Sequence, residues 1–331
     1  MRIGTARARG RGSEPLLLLF VDGLGLAPPS SDNPLSEGHM PWLEERIGCR
    51  LVSGTAPLDR PGVCLRALDA TLGVEGLPQS ATGQTALFTG ENAAGHVGRH
   101  VPAFPGGRLR ELIARHNLLT ASVRRGDRVA FANAFSPLYE ERLARRRARR
   151  SVTVCCAEDA GLRRRGLADL ARGDAVSWDV ERDLFLAVLE AADTTDADED
   201  GGSAPPSQRP IGLGPVYAEQ AGRHLADLLG DHELVLYETF LTDLVGHGRT
   251  ELSPRQALAR IDSLLSGVAP AIDAQGATVV LVSDHGNIEE TDHRRHTRNP
   301  VPLLALGPAA ARFAACVSLC DVTPAVLACR S

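Results

Sequence analysis

Lysine is absent from this 331-residue chain, and all 36 of its basic residues are arginine. Schiff-base chemistry and lysine-centred phosphate loops are thereby excluded. The 7 cysteines are odd in number and scattered, with no Cys-x-x-Cys pair, so no disulfide framework is expected. Cys155 and Cys156 are adjacent, and the set reads as reduced cytosolic cysteine, small apolar residues of a core. No apolar stretch approaches the ~20 residues that a membrane span needs. Arg-rich residues 2–11 ahead of the apolar run 16–21 imitate a signal peptide. That run is too short, no small-residue cleavage site follows, and Asp22 closes it. A cytoplasmic protein without a membrane partner is the expectation. The net charge of -5 argues against a general nucleic-acid binder. No internal repeat is found.

What is present is a chain with 43% hydrophobic residues, enough for one large α/β domain with an insertion or for two modest domains. Residues 15–21 form a continuous apolar run ended by Asp22-Gly23-Leu24-Gly25. Such runs suit strands buried on both faces of a parallel sheet. Residues 233–237, 277–282 and 301–306 follow the same grammar. Between them, 216–229 and 254–274 show the i, i+3, i+4 apolar spacing of helices. Strands alternating with helices predict a doubly wound α/β core. Residues 1–14 read as a flexible tail, and 15–100 with 208–331 as the core. The Arg-rich stretch 101–207 reads as an inserted smaller cap, with a strand candidate at 128–135. Its end, 192–208, is acidic, small and Pro/Gly-rich, the composition of a mobile loop or linker.

In open parallel sheets, ligands bind beyond the carboxyl ends of the strands. Asp22, the segment around Asp243, and Asp284-His285 each lie just after a strand-like run, so three segments would bring carboxylates and imidazoles to one edge. Adjacent Asp284 and His285 can both be ligands only where the chain turns, and Gly286 is expected to permit that turn. Asp243 and His247, four residues apart, share one helical face and can grip one ion. His296 heads His-Thr-Arg-Asn-Pro-Val-Pro, with His293 as a nearby competitor. Ser80-Ala-Thr-Gly-Gln84 leads into a helix, placing a hydroxyl and backbone N–H groups where a phosphate can rest or, alternatively, a plain N-cap serine.

These segments, in this order, resemble the alkaline phosphatase superfamily, closest to its branch of cofactor-independent phosphoglycerate mutases and phosphopentomutases. The resemblance covers 15–100 and 210–331 and leaves the cap aside. It implies an α/β/α core with an inserted cap and a metal site of Asp22, Ser80, Asp243, His247, Asp284, His285 and His296. One divalent ion would be held by Asp243, His247 and His296. The other would be held by Asp22, Asp284 and His285, with Ser80 completing or bridging the pair. Mixed carboxylate and imidazole ligands suit manganese, the first choice, or zinc better than calcium. Ser80 is implied as the nucleophile that forms a phosphoserine from a small phosphorylated metabolite.

The chain departs from that branch in two respects. Gln84 stands where the mutases have histidine, and the insert is shorter than theirs. A short cap favours hydrolysis of a phosphomonoester over a mutase, which must exclude water while its substrate reorients. The phosphomutase is the alternative, and a catalytically silent metal-binding protein the second. Arg146 and Arg147, within the run 145–150, are candidate substrate contacts, with a solvated helix face as the competing reading. Asn33 could border the substrate pocket or simply form a turn. Thr82 could support Ser80 or replace it as nucleophile. Asp321 reads as the cap of a terminal helix. Substrate and oligomeric state are left open.

Overall fold

The computed structural model describes residues 14–199 and 213–329, with the backbone course alone for 192–199. The expected tail therefore lies outside the described residues but for Glu14. Seven strands form one sheet: β1 (Leu16–Val21), β2 (Leu58–Arg60), β3 (Val63–Leu68), β4 (Val129–Phe131), β5 (Leu234–Thr239), β6 (Thr278–Val282) and β7 (Val301–Leu306). Their order is β2-β3-β7-β6-β1-β5-β4. Strands β6, β1, β5 and β4 run parallel.

The unbroken apolar run of β1 follows from its central place. Leu17, Leu19 and Val21 enter the core on one face, and Leu16, Leu18 and Phe20 enter the core on the other. Period-two alternation sends successive side chains to opposite faces, so both sets must be apolar when helices cover both. The helices Ala218–Asp231 and Pro254–Gln275 pack on the first face. The helices Ser80–Thr89 and Val152–Asp159 pack on the second. The chain is thus an α/β protein with helices on both sides of the sheet. All seven cysteines are free, and four of them are buried.

Three expectations need correction. First, β7 follows the strand grammar but runs antiparallel to β6. The chain stays at one sheet edge from Asp284 to Pro300, so its next strand can only run back. Second, the stretch 101–207 is not a separate cap throughout. Within it, β4 pairs with β5, and Leu109, Ile113, Leu119 and Cys155 belong to the core of the second face. A smaller cluster around Leu170, Phe185 and Leu189 makes up what stands apart. Third, the loop expected from 192 onward begins later, because the helix Asp183–Glu199 continues into it. Residues 183–199 contain no glycine or proline, the residues that end helices, and alanine, leucine and glutamate favour them. The remainder, 200–208, lies outside the described residues. Among the described residues, no helix is long and apolar enough to cross a membrane.

Candidate metal centre and its cavity

Asp22, Asp243 and Asp284 follow the carboxyl ends of β1, β5 and β6, which are neighbours in the sheet. His296 reaches the same edge from the segment that precedes β7. The structure brings all seven candidate ligands together. His285 Nε2 lies 3.2 Å from Asp22 Oδ1, 3.7 Å from Asp284 Oδ2 and 3.1 Å from Ser80 Oγ. Asp243 Oδ1 lies 3.3 Å from His247 Nε2 and 3.5 Å from His296 Nε2. The His285 and His296 rings stack with centroids 3.7 Å apart, joining the two halves. Ligand atoms of Asp22, Asp284 and His285, and of Asp243, His285 and His296, each lie within 4.8 Å of one another. His285 therefore sits between the halves rather than wholly in one. His293 is elsewhere, paired with Glu290 at 3.2 Å.

The glycines of this edge act by making room. The chain bends at Asp284 and His285 as expected, but Gly286 does not have a positive φ. A Cβ there would lie 2.0 Å from Glu289 Oε1. At Gly83 a Cβ would lie 2.7 Å from the Asp284 carbonyl oxygen, so this glycine lets the Ser80–Thr89 helix touch the turn that carries Asp284 and His285.

Whether cations fit is decided by the donors. His296 Nδ1 lies 2.8 Å from the Pro78 carbonyl oxygen and His247 Nδ1 lies 2.9 Å from that of Arg294. A carbonyl only accepts, so each Nδ1 carries a proton, and in the neutral ring each Nε2 is left with a lone pair for a cation. Asp22 Oδ1 and Asp284 Oδ1 are buried and accept no hydrogen bond. Burial, then the charge of Asp22, pushes the Asp284 carboxyl well above its ordinary range. Burial lowers the basicity of His285, but Asp284 and Asp22 raise it further, to about 10. Burial raises Asp243, yet hydrogen bonds with His247 and His296 hold it well below the carboxylate range. Buried acceptors and lone pairs aimed at one another fit divalent cations held by oxygen and nitrogen.

Several residues hold this set, and apart from Gln84 they do not stand out in the sequence. Glu289 is fully buried. Its Oε2 accepts from the Gly25 and Asn287 N–H groups at 3.0 and 2.7 Å, and its Oε1 accepts from the Thr297 hydroxyl and the Asn299 amide. Asn287 donates to Asp243 Oδ1 at 2.9 Å. Gln84 donates to Asp284 Oδ2 at 3.1 Å and approaches Asp22 Oδ2 at 3.5 Å. Glu238 lines the cavity, buried, and accepts from Thr153 Oγ1 at 2.7 Å. Glu289 has a weak signal, its place two residues after Asn287. Glu238 has none.

A cavity of about 870 Å³ opens from the ligand cluster. Arg147 lines it and Arg146 does not. The run 145–150 is an exposed turn after the helix Pro137–Ala144, not a helix face. Asn33 does not reach the cavity: its amide donates to the Ala27 and Pro28 carbonyls, and its oxygen accepts from the Leu35 N–H. Thr82 also misses it, being buried with its hydroxyl donating to the Gln79 carbonyl and accepting from the Val101 N–H. Asp321 stands at the cap position of the helix Val322–Ala328 but makes no side-chain cap. Its carboxylate accepts from the Val317 and Ser318 N–H groups instead.

The family model described as Metalloenzyme superfamily matches residues 217–329. The 2,3-bisphosphoglycerate-independent phosphoglycerate mutase of Methylobacillus flagellatus is 33% identical over 94 residues, 26% of this chain and 18% of that protein. The protein of the same description from Hahella chejuensis is 31% identical over 104 residues, 30% of this chain and 20% of that protein. The similarity thus spans about a fifth of the length of these relatives. Among solved structures, the PH0037 protein of Pyrococcus horikoshii shares the fold over 96% of this chain and 98% of that one, with a TM-score of 0.52 at 12% identity.

Proposed function

We infer that this chain, a metalloenzyme of the alkaline phosphatase superfamily, transfers the phosphoryl group of a small phosphorylated metabolite through a phosphoserine at Ser80 and releases it to water. The observation that carries this reading is the place of Ser80. It opens the Ser80–Thr89 helix, lines the cavity, and sets its Oγ 3.1 Å from His285 Nε2 within the ligand cluster.

Two divalent cations, manganese first and zinc second, would lower the proton affinity of the Ser80 hydroxyl and offset charge on the phosphoryl oxygens. Asp243, His247 and His296 would hold one, and Asp22, Asp284 and His285 the other. The protein's own part is orientation. Glu289, Asn287 and Gln84 fix the ligand side chains, and the positive end of the helix dipole at Ser80 faces the phosphate. As the Ser80 Oγ–phosphorus bond forms, the ester P–O bond breaks, and the alcohol leaves with a proton. Water then splits the phosphoserine, restoring the hydroxyl and giving inorganic phosphate.

Hydrolysis is favoured over isomerisation by access. Exposed arginines line the cavity, so water reaches it. The mutase relatives favour the second reading, a phosphomutase that returns the group to another hydroxyl of the substrate. Acid quenching during turnover with manganese and mass spectrometry of the Ser80 peptide tests the common step. A phosphorylated Ser80, absent in Ser80→Ala along with turnover, is expected; turnover by Ser80→Ala would overturn it. Free phosphate against an isomeric ester separates the two readings.

A further inference from the structure

Aromatic residues are scarce in this chain, only thirteen phenylalanines, tyrosines and tryptophans, yet six of them line this one cavity: Phe104, Phe135, Tyr139, Trp178, Phe185 and Phe240. Phe135 and Tyr139 stack with centroids 5.3 Å apart, forming a flat apolar surface. Two of the few large apolar side chains exposed among the described residues, Phe104 at 39% and Val188 at 56%, also line it. Exposed apolar surface inside a cavity is costly unless a ligand covers it. A three-carbon phosphorylated acid has nothing to offer this wall, and about 870 Å³ lies towards the upper end of the range for much larger ligands, roughly 300–1,000 Å³.

The charge is equally uneven. Six arginines line the cavity, and none has an ion pair to a carboxylate among the described residues. Elsewhere arginines are paired, Arg128 with Glu233 at 2.5 Å, Arg164 with Glu140 at 2.6 Å and Arg260 with Asp183 at 2.7 Å. The six fall into two sets. Arg249, Arg294 and Arg295 flank the histidine ligands in the chain, and the Arg294 carbonyl accepts from His247. Arg142, Arg147 and Arg149 belong to the aromatic wall: Arg149 lies over the Phe104 ring at 5.7 Å, and Tyr139 donates to the Arg149 carbonyl. The first set suits the reacting phosphate. The second leaves positive charge that is unmatched among the described residues beside the aromatic surface.

We propose that the site selects phosphate esters whose alcohol carries a flat aromatic body and a second anionic group, in place of phosphorylated three-carbon acids or simple sugars. This deepens, and rests on, the phosphoryl-transfer reading above.

The manganese-loaded protein is given 6-carboxy-2-naphthyl phosphate, 2-naphthyl phosphate, glycerol phosphate and 3-phosphoglycerate, and kcat/KM is measured for each. Calorimetry with the non-hydrolysable phosphonate of the carboxynaphthyl compound gives a second readout that needs no turnover. The carboxynaphthyl ester is expected to exceed 2-naphthyl phosphate, whose leaving group is alike, by about tenfold, and its phosphonate to bind at least about tenfold tighter than glycerol phosphate does. Phe104→Ala and Arg149→Ala, both at exposed positions that should tolerate change, are expected to weaken phosphonate binding by about fivefold each. Glycerol phosphate or 3-phosphoglycerate turned over as well as the aryl esters would overturn the proposal and leave phosphoryl transfer standing. Tight phosphonate binding, weakened by both variants, without turnover of any ester would support the ligand class and overturn the reaction. Binding unaffected by either variant overturns the aromatic and anionic subsites.

Discussion

The Nε2 atoms of His247 and His296 face each other across 3.0 Å, while each ring gives its Nδ1 proton to a backbone carbonyl. At that distance a proton on one ring or a cation between them satisfies both nitrogens, since an imidazole nitrogen either donates or accepts. With Asp243 Oδ1 3.3 and 3.5 Å from the two nitrogens, the pair is a grip that fits a divalent cation. A cation at a thousand times its dissociation constant adds about 4 kcal/mol to folding stability. Chelation should lower the melting temperature by several degrees, and manganese should restore it. Asp284→Asn should remove one of two metal equivalents by elemental analysis; two equivalents retained would refute the assignment of Asp284 as a ligand.

Glu289 ties the loop after β1, the turn after β6 and the segment before β7 through one carboxylate. Glu289→Gln puts an amide against donors where an oxygen is needed. A loss of about 2–3 kcal/mol is expected in denaturant unfolding of the metal-free protein. Manganese affinity, measured by calorimetry, should fall about tenfold or more, since the ligands lose the partner that orients them. An unchanged unfolding midpoint with unchanged affinity would show that Glu289 positions nothing.

Much of this was legible in the sequence because it rests on continuous apolar runs. Residues 301–306 coincide with β7, and the runs ending near Asp22, Tyr237 and Val282 coincide with the central strands. The candidate ligands were legible because each follows such a run or stands in a dense local motif. What was not legible is long-range. The direction of β7 depends on where the chain has just been. The place of β4 depends on three residues pairing with β5, too few for a periodic signal. Glu238 and Glu289 look like ordinary acidic residues until the fold buries them, and composition does not tell Arg147, which reaches the cavity, from Arg146, which does not.

Gly83 sets two known magnitudes against each other. Alanine in a helix interior is favoured over glycine by about 1 kcal/mol. Here its Cβ would meet the Asp284 carbonyl oxygen at 2.7 Å and the Asp284 Cβ at 3.0 Å, and overpacking typically costs about 1–3 kcal/mol. The clash should win, because the neighbour is backbone of a ligand. Gly83→Ala is expected to lower both stability and metal occupancy of the half built on Asp22, Asp284 and His285. A more stable variant with full metal content would contradict the close packing of helix on turn.

Glu238 makes a prediction about pH. Burial, with the charge of Asp22 added and the Thr153 hydrogen bond opposing, raises its carboxyl from 4.5 to about 8. The folded chain thus holds a proton that the unfolded chain has already released between those values. Stability of the metal-free protein should therefore fall as pH rises from about 4.5 to about 8, and level off above. The full effect is on the order of a few kcal/mol. Glu238→Gln cannot ionise, so this contribution disappears and its unfolding free energy should depend less steeply on pH across that window. Chemical denaturation of both proteins in chelator at several pH values measures the difference. Parallel profiles would mean that Glu238 is ionised at neutral pH, balanced by a charge its surroundings do not display.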